Sequence, residues 1–325
     1  MSRTEHIAVV GAGPMGNGIA QVFATRGHEA IFFDPDPQFL NSAIRKIRAN
    51  LGFLAENSLV HVDDIEPTIE RIRLGKSLEE TISGARFVLE AVVDNLKLNA
   101  PSLNIKVKRS LFQEMERYCS PITILASCTT SCSITDIGRN NNARERIVGT
   151  HFWPPPYLVP LVEVVGGEDT LQEVTDYTSS LLRAVGKHPV LVNKDVPGLV
   201  GHRVQQALWR ESLAIVEEGI ASAEAVDEII KKGFGIWLSA LGPLENAGFF
   251  GLDMTHGYRD FPHRRIERSL EIQGLFPVQS DDDGNGLAPR AKPGPYDLDE
   301  VLLERRWDDF FEQLIRWNQK NGQRY

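Results

Sequence analysis

The sequence predicts an α/β protein, with a doubly wound parallel sheet in its N-terminal part and an all-α domain after it. Three observations carry the prediction. Short apolar runs alternate with stretches of helical periodicity as far as Val192. A glycine-rich turn joins the first apolar run to the first helical stretch. After Asp195-Val196-Pro197-Gly198 the strand pattern stops and long helical periodicity replaces it. Strands and helices that alternate at this length build a parallel sheet covered on both faces.

Ile7-Ala8-Val9-Val10 reads as a buried parallel strand, because it is apolar without alternation. Gly11-Ala12-Gly13-Pro14-Met15-Gly16 follows at once, and Asn17–Ala24 carries apolar residues at helical spacing. Strand, glycine turn and helix in that order are the context a dinucleotide fingerprint requires. The first glycine permits the tight turn, the second lets backbone approach a pyrophosphate, and the third lets helix and strand pack closely. Free N–H groups and partial positive charge at the helix N-terminus then face the phosphates. A second run, Ala30-Ile31-Phe32-Phe33, ends in Asp34, eighteen residues past the last glycine. A carboxylate there accepts hydrogen bonds from the ribose hydroxyls and repels a 2′-phosphate, which predicts NAD rather than NADP. The unit is therefore Rossmann-type, and Gly11, Gly13, Pro14, Met15, Gly16 and Asp34 are its cofactor-binding candidates.

The later elements follow in order. Pro37 to Leu54 is helical, with Phe39, Leu40, Ala43, Ile44, Ile47, Leu51 and Leu54 as its stripe. A polar connector and a short helix near Ile65–Ile72 come next. Phe87–Val93 and Thr123–Ser127 read as buried strands, with a helix at Ser110–Tyr118 between them. Arg146–Trp153 and Leu161–Val165 are further strands around three consecutive prolines, and Thr170–Val185 is a helix before a last strand at Pro189–Val192. In the second half, Val200–Glu218 and Ala223–Lys232 are helices, the latter with Gly233 as its expected cap. Pro243–Phe250 begins a third with proline in its first turn. Gln279–Gly294, rich in Asp, Gly and Pro, reads as an exposed loop, and the chain closes with a helix near Leu298–Trp317. The boundary belongs near 194: residues 1–194 form the nucleotide-binding domain and residues 195–325 the helical one.

Composition narrows the function classes. A net charge of −9 over 325 residues, with no Lys/Arg cluster, argues against a nucleic-acid surface. No stretch approaches the roughly 20 apolar residues that span a bilayer, and Met1 runs almost directly into the first strand, so neither a membrane span nor a signal peptide is expected. Three cysteines (Cys119, Cys128, Cys132) fit a reducing cytoplasm, and their spacing lacks the ligand set of a zinc site. Asp281-Asp282-Asp283 has no EF-hand spacing around it and reads as a solvated loop.

His151 ends a strand on the carboxyl side of the sheet, the edge where open parallel sheets bind ligands. Glu163 lies twelve residues on, between Val162 and Val164. A carboxylate among valines is costly without a partner, and a histidine on the neighbouring strand end can be that partner. Such a pair makes a general base whose tautomer the acid fixes. A purely structural His–Glu contact has the same spacing.

The run Gly149-Thr150-His151-Phe152-Trp153-Pro154-Pro155-Pro156-Tyr157-Leu158-Val159-Pro160-Leu161-Val162-Glu163-Val164-Val165 resembles the catalytic signature of the 3-hydroxyacyl-CoA dehydrogenase family. So do Gly11–Gly16 with Met15, Leu89-Glu90-Ala91-Val92, Ala126–Ile134, Asp195–Arg203, Gly242–Glu245 and Gly251–Asp253. The resemblance covers nearly the whole chain, in order. Its length and the Pro-Tyr-Leu-Val-Pro run are most like the branch that includes L-gulonate 3-dehydrogenase, lambda-crystallin and L-carnitine dehydrogenase.

The resemblance implies an NAD-dependent dehydrogenase acting on a 3-hydroxy acid or related small alcohol. His151 would take the hydroxyl proton as hydride leaves for the nicotinamide, and Glu163 would orient the imidazolium. Thr130 falls where the family has a substrate- and cofactor-contacting serine. Asp94, Lys108 and Lys292 match family positions that contact the cofactor. The helical domain would close over the site and supply a homodimer interface. The same branch includes a structural crystallin, so an NAD-binding protein with weak chemistry is the competing class.

Three departures bear on the substrate. Pro154 stands where the family has Asn, and a proline donates neither from its side chain nor from its nitrogen. His202 stands where the family has an Asn thought to polarise the substrate oxygen. About nine extra residues near Asn99–Val107 precede Lys108. Residues 39–65 carry only Arg45, Lys46 and Arg48 as cations, where the acyl-CoA enzymes are more basic. A substrate other than an acyl-CoA is therefore expected, with a 3-hydroxyacyl-CoA dehydrogenase proper as the alternative. Phe152, Trp153, Tyr157 and Trp237 could surround a quaternary ammonium, although packing is the favoured reading of such aromatics.

Overall fold

The structure, a computed structural model, describes residues 4–92, 101–238, 240–249 and 312–316. The chain divides into two compact units, Met1–Val200 with Val301–Tyr325, and Gly201–Glu300. The first unit thus reaches past the expected boundary at 194 and takes back the end of the chain. Leu314 and Ile315 explain the second part of that difference, since they pack with Leu54, Leu59, Val60 and Leu158.

Among the described residues of the first unit the order is β1 (His6–Val10), α1 (Pro14–Thr25), β2 (Glu29–Phe33), α2 (Pro37–Glu56), α3 (Ile65–Glu70), β3 (Ile72–Leu74), α4 (Leu78–Ile82) and β4 (Phe87–Glu90). Then come α5 (Pro101–Tyr118), β5 (Ile124–Ser127), α6 (Ile134–Gly138), β6 (Ile147–Phe152), β7 (Leu161–Gly166), α7 (Gln172–Ala184) and β8 (His188–Val192). The strands form one sheet in the order β3-β2-β1-β4-β5-β6-β7-β8. Every neighbouring pair is parallel except β6 and β7, which run antiparallel. The order reverses between β1 and β4, and that switch point opens the crevice in which such sheets hold their ligands.

Strand alternation sorts the core into two layers. Ile7, Val9, Phe87, Leu89, Ile124 and Ala126 face one cluster with Ile19 and Phe23 of α1, Ile47 of α2 and Leu182 of α7. Ala8, Val10, Val88 and Leu125 face the other with Ile82 of α4, Phe112 and Met115 of α5 and Ile137 of α6. Each such side chain buried outright contributes about 1.5–3 kcal/mol over its exposed state.

Four elements differ from the sequence expectation. β3 begins at Ile72, where the expected helix ends, and was not expected, because three residues centred on Arg73 give no strand signal. α4 and α6 are single turns whose serine caps announce them better than their periodicity: Ser77 accepts from the Glu80 N–H and Ser133 from the Asp136 N–H. α5 begins at Pro101, so the described part of the extra segment extends that helix at its N-terminal end.

The described part of the second unit is helical: α8 (Gly201–Glu217), α9 (Ala223–Lys232), α10 (Phe234–Leu238) and α11 (Pro243–Phe249). Gly233 ends α9 with φ −100°, and its N–H donates to the Ile229 carbonyl. A Cβ there would lie 2.5 Å from that carbonyl oxygen, so close approach rather than a left-handed turn selects the glycine. The expected loop at Gln279–Gly294, including Asp281–Asp283, lies outside the described residues.

Candidate active site

The glycine turn fills the switch point. Gly11 leaves β1 with φ +105°, and a Cβ on it would come within 2.8 Å of the Ala91 backbone beyond β4. A Cβ on Gly16 would sit 1.8 Å from the Gly11 carbonyl oxygen, which is the close helix–turn contact the third glycine permits. Gly13 is different. A Cβ there would meet no heavy atom within 4 Å, so the protein leaves open the space a pyrophosphate takes beside the α1 N-terminus. Pro14 occupies the first turn of α1, and Met15 packs against the core from the partly buried side. Asp34, just past β2, accepts from the Ala12 N–H at 2.7 Å and the Asp36 N–H at 2.9 Å. Those bonds aim its carboxylate at the turn. The residues present therefore fit a dinucleotide.

The carboxyl ends of β4 and β5 carry a buried polar hub. Glu90, with no exposed surface, accepts from Lys108 at 2.6 Å, the Val92 N–H at 2.7 Å and the Ser127 hydroxyl at 2.6 Å. Lys108 also donates to the Val92 carbonyl at 3.1 Å. Its ammonium is thus directed at Glu90 and the strand end that flanks Gly11.

Next along the edge stands the His–Glu pair. Register pairs His151 directly with Glu163 across β6 and β7. Ser127 pairs with Gly149, so His151 lies one side-chain repeat beyond the last paired residue of β5. Both side chains are buried, 5% and 3% exposed. His151 Nδ1 is 2.8 Å from Glu163 Oε2. An ionised carboxylate only accepts, so Nδ1 carries the hydrogen and Nε2 is left as the basic nitrogen. Trp153 Nε1 donates to the same oxygen at 3.3 Å, and the Val200 N–H donates to Oε1 at 3.0 Å.

Val200 reaches Glu163 through a strap. Asp195 anchors it by accepting from the Ser133 hydroxyl, the Ile134 N–H, and both the N–H and hydroxyl of Thr135, at 2.7–3.0 Å. The Gly198 N–H donates to the Thr130 carbonyl at 2.8 Å. Leu199, buried in the second core layer, adopts φ +45°, a left-handed conformation that costs a β-carbon residue of order 1 kcal/mol or more. Thr130 follows β5 at the same edge, beside Thr129, whose hydroxyl accepts the Cys132 N–H.

The loop after β6 is held from below. Lys187 is buried and donates to the carbonyls of Pro156 and Val159. Burial, with Arg26 nearby, pushes its pKa down to about 7. Gly18 of α1 admits the loop closely, since a Cβ there would lie 2.9 Å from Pro156.

The first unit therefore assembles Gly11, Gly13, Pro14, Met15, Gly16, Asp34, Lys108, Thr130, His151 and Glu163 along one edge. His202 stands at the start of α8 in the second unit, 3.4 Å from the Gln206 amide. Asp94 and Lys292 lie outside the described residues. Sequence reasoning named Glu90 and Asp195 only within runs that resemble the family, took Trp153 as one of four aromatics that could surround a quaternary ammonium, and passed over the Val200 amide. Glu90 offered the one usable signal, an acid ending an apolar strand run. No group of metal-ligating side chains occurs among the described residues, and no described helix is long and apolar enough to cross a membrane.

Two family models meet this geometry end to end. Residues 6–196 match the 3-hydroxyacyl-CoA dehydrogenase NAD-binding domain, and residues 198–274 match the C-terminal domain of the same family. The chain belongs to the 3-hydroxyacyl-CoA dehydrogenase family. As in that family, it is an oxidoreductase whose cofactor is NAD. The chain is 35% identical over 249 residues (77% of this chain, 82% of the relative) to a Bacillus subtilis protein named "Probable 3-hydroxybutyryl-CoA dehydrogenase". It is 32% identical over 246 residues (73% of each) to the L-carnitine dehydrogenase of Oceanobacillus iheyensis. In fold it is similar to a solved 5-formyl-3-hydroxy-2-methylpyridine 4-carboxylic acid 5-dehydrogenase, with a TM-score of 0.84, 24% identity, and coverage of 99% of this chain and 100% of that one.

Proposed function

We propose that this dehydrogenase oxidises the hydroxyl of a small 3-hydroxy acid or related alcohol, with His151 as general base and Glu163 as its orienting partner. One observation carries the reading: a buried imidazole at the cofactor edge has one nitrogen committed to a carboxylate at 2.8 Å. The other nitrogen is then the base. NAD, when bound, accepts the hydride. His151 Nε2 removes the hydroxyl proton as the carbon–hydrogen bond breaks, and Glu163 stabilises the imidazolium that results. Thr130 offers its hydroxyl to substrate and cofactor from the end of β5. His202 replaces an amide with a group whose donor capacity depends on its protonation.

Two observations support a substrate smaller than an acyl-CoA. Of the three cations on α2, Arg48 is already engaged by Glu66 through two hydrogen bonds of 2.8 and 3.0 Å. Pro154 removes a side-chain donor three residues past the base. The similarity to the Bacillus protein favours the acyl-CoA reading instead. The retained His151–Glu163 geometry argues against a crystallin-like role without chemistry.

The test is NADH formation with L-gulonate, L-carnitine, 3-hydroxybutyrate, 3-hydroxybutyryl-CoA and aromatic alcohol acids, using His151→Ala as the blank. Turnover of a free hydroxy acid that vanishes in the variant is the expected result. Faster turnover of 3-hydroxybutyryl-CoA than of every free acid overturns the substrate class. Silence throughout, with NADH still bound, favours the non-catalytic reading. The same preparation should sediment as a homodimer at micromolar concentration; a monomer contradicts the expected assembly.

A further inference from the structure

Trp153 touches both members of the pair, and the mechanism above gives it no task. It lies two residues after His151, and the alternation of extended chain puts both side chains on one side. Its indole ring stands 5.3 Å, centroid to centroid, from the imidazole, with the planes tilted by 50°. Its Nε1–H donates at 3.3 Å to Glu163 Oε2, the oxygen that also binds His151 Nδ1 at 2.8 Å.

We propose that Trp153 is a positioning residue that sets the proton affinity of His151. The proposal rests on the reading of His151 as the base. Two effects act in opposite directions. The indole N–H draws charge from the carboxylate oxygen and so lowers the affinity of the imidazole for a proton. The indole ring, 5.3 Å away centroid to centroid and so within the about 6 Å reach of a cation–π contact, attracts an imidazolium and so raises it. Together they poise the base while fixing the carboxylate against rotation. Among the described residues, three strands and the strap present groups to the pair. β7 presents Glu163, and β5 presents the neutral Ser127 opposite Gly149. β8 presents Val190 opposite Glu163, and the strap presents the Val200 amide. Just before β8, Lys187 donates to the carbonyls of Pro156 and Val159 in the loop after β6.

Two substitutions separate the effects. Trp153→Phe keeps a ring and removes the N–H, so the acid limb of kcat/KM moves to higher pH by about half a unit. Trp153→Leu removes the ring as well, and its limb falls below that of Trp153→Phe. A readout without substrate exists, because a protonated imidazole quenches a neighbouring indole. In the wild-type protein the Trp153 component of the emission, taken as the difference from Trp153→Phe, falls on acidification in step with the acid limb. It loses that titration in His151→Ala. An unmoved acid limb in Trp153→Phe, or an emission titration that persists in His151→Ala, overturns the proposal. Full turnover in His151→Ala overturns the base assignment itself, whereas a dead His151→Ala with an unmoved limb in Trp153→Phe overturns the role of Trp153 alone.

Discussion

Two buried carboxylates stand on the same sheet edge and do different work. Glu90 ends β4 and Glu163 lies in β7, and each is almost wholly removed from water. Each takes an N–H from the backbone and a second bond from a neutral side chain, Ser127 or Trp153. They differ in the charged partner. Glu90 faces a lysine at 2.6 Å, while Glu163 faces a histidine at 2.8 Å, the side-chain type that gains and loses a proton near neutral pH. The Glu90–Lys108 pair ties β4 to α5. A pair with one titratable member can move a proton and still satisfy its carboxylate.

The largest effect that sharpens this contrast is on rate. His151→Ala should lower kcat by about 10³-fold, and Glu163→Gln by about 10²-fold, with the KM for NAD little changed in steady-state assays. Glu163→Gln should remain folded near the wild-type midpoint, because the imidazole can be neutral beside it. Glu90→Gln should do the reverse. It strands the Lys108 ammonium in the interior and should cost about 3–5 kcal/mol in urea unfolding. The double variant Glu90→Leu/Lys108→Met should recover most of that loss. Equal destabilisation by Glu90→Gln and Glu163→Gln, with activity kept in the latter, would break the comparison.

Lys187 sharpens it from a third side, as a buried cation held on carbonyls. Its folded pKa, about 7, lies below the unfolded lysine value. Between about pH 7 and the ordinary lysine range the unfolded chain therefore binds a proton that the folded chain lacks. Stability then rises with pH across that window, and the cost of burial is full below it. Relative to Lys187→Met, the wild type should gain stability between neutral and alkaline pH. A difference that stays flat would mean the carbonyls hold the ammonium charged. The smallest effect belongs to Ser127→Ala, which removes one bond to Glu90 Oε2 and should cost about 1.5–3 kcal/mol without moving the pH–rate profile.

Much of this was legible in the sequence, for identifiable reasons. The glycine turn and Asp34 are local, and their spacing is dictated by a strand, a turn and a helix. His151 and Glu163 could be paired because a carboxylate among valines needs a partner and a histidine ends the preceding strand twelve positions before it; the antiparallel run of β6 and β7 came only with the structure. β3 was not legible because three residues carry too little periodicity. The Glu90–Lys108 bond spans the extra segment, which no local pattern crosses. Asp195 binds α6 from some sixty residues away, and Glu163 takes a backbone amide, which every residue but proline possesses. Such partners come from tertiary folding and leave no mark on residue type. The short Asp195 strap looked like a domain linker for the same reason.

That strap has a bearing on how this protein can be recombined. Its last residue before α8 donates a hydrogen bond to the carboxylate behind the base. A cut placed at the end of the visible strand pattern, after Lys194, would give a fragment that keeps the nucleotide-binding turn but leaves Glu163 short of a donor and the Ile134 and Thr135 N–H groups of α6 without their Asp195 acceptor. A crossover after Val200 would carry the whole support with the sheet. Chimeras made by exchanging helical domains among relatives should therefore tolerate a junction at the start of α8 better than one at the end of β8, although only the latter looks like a seam.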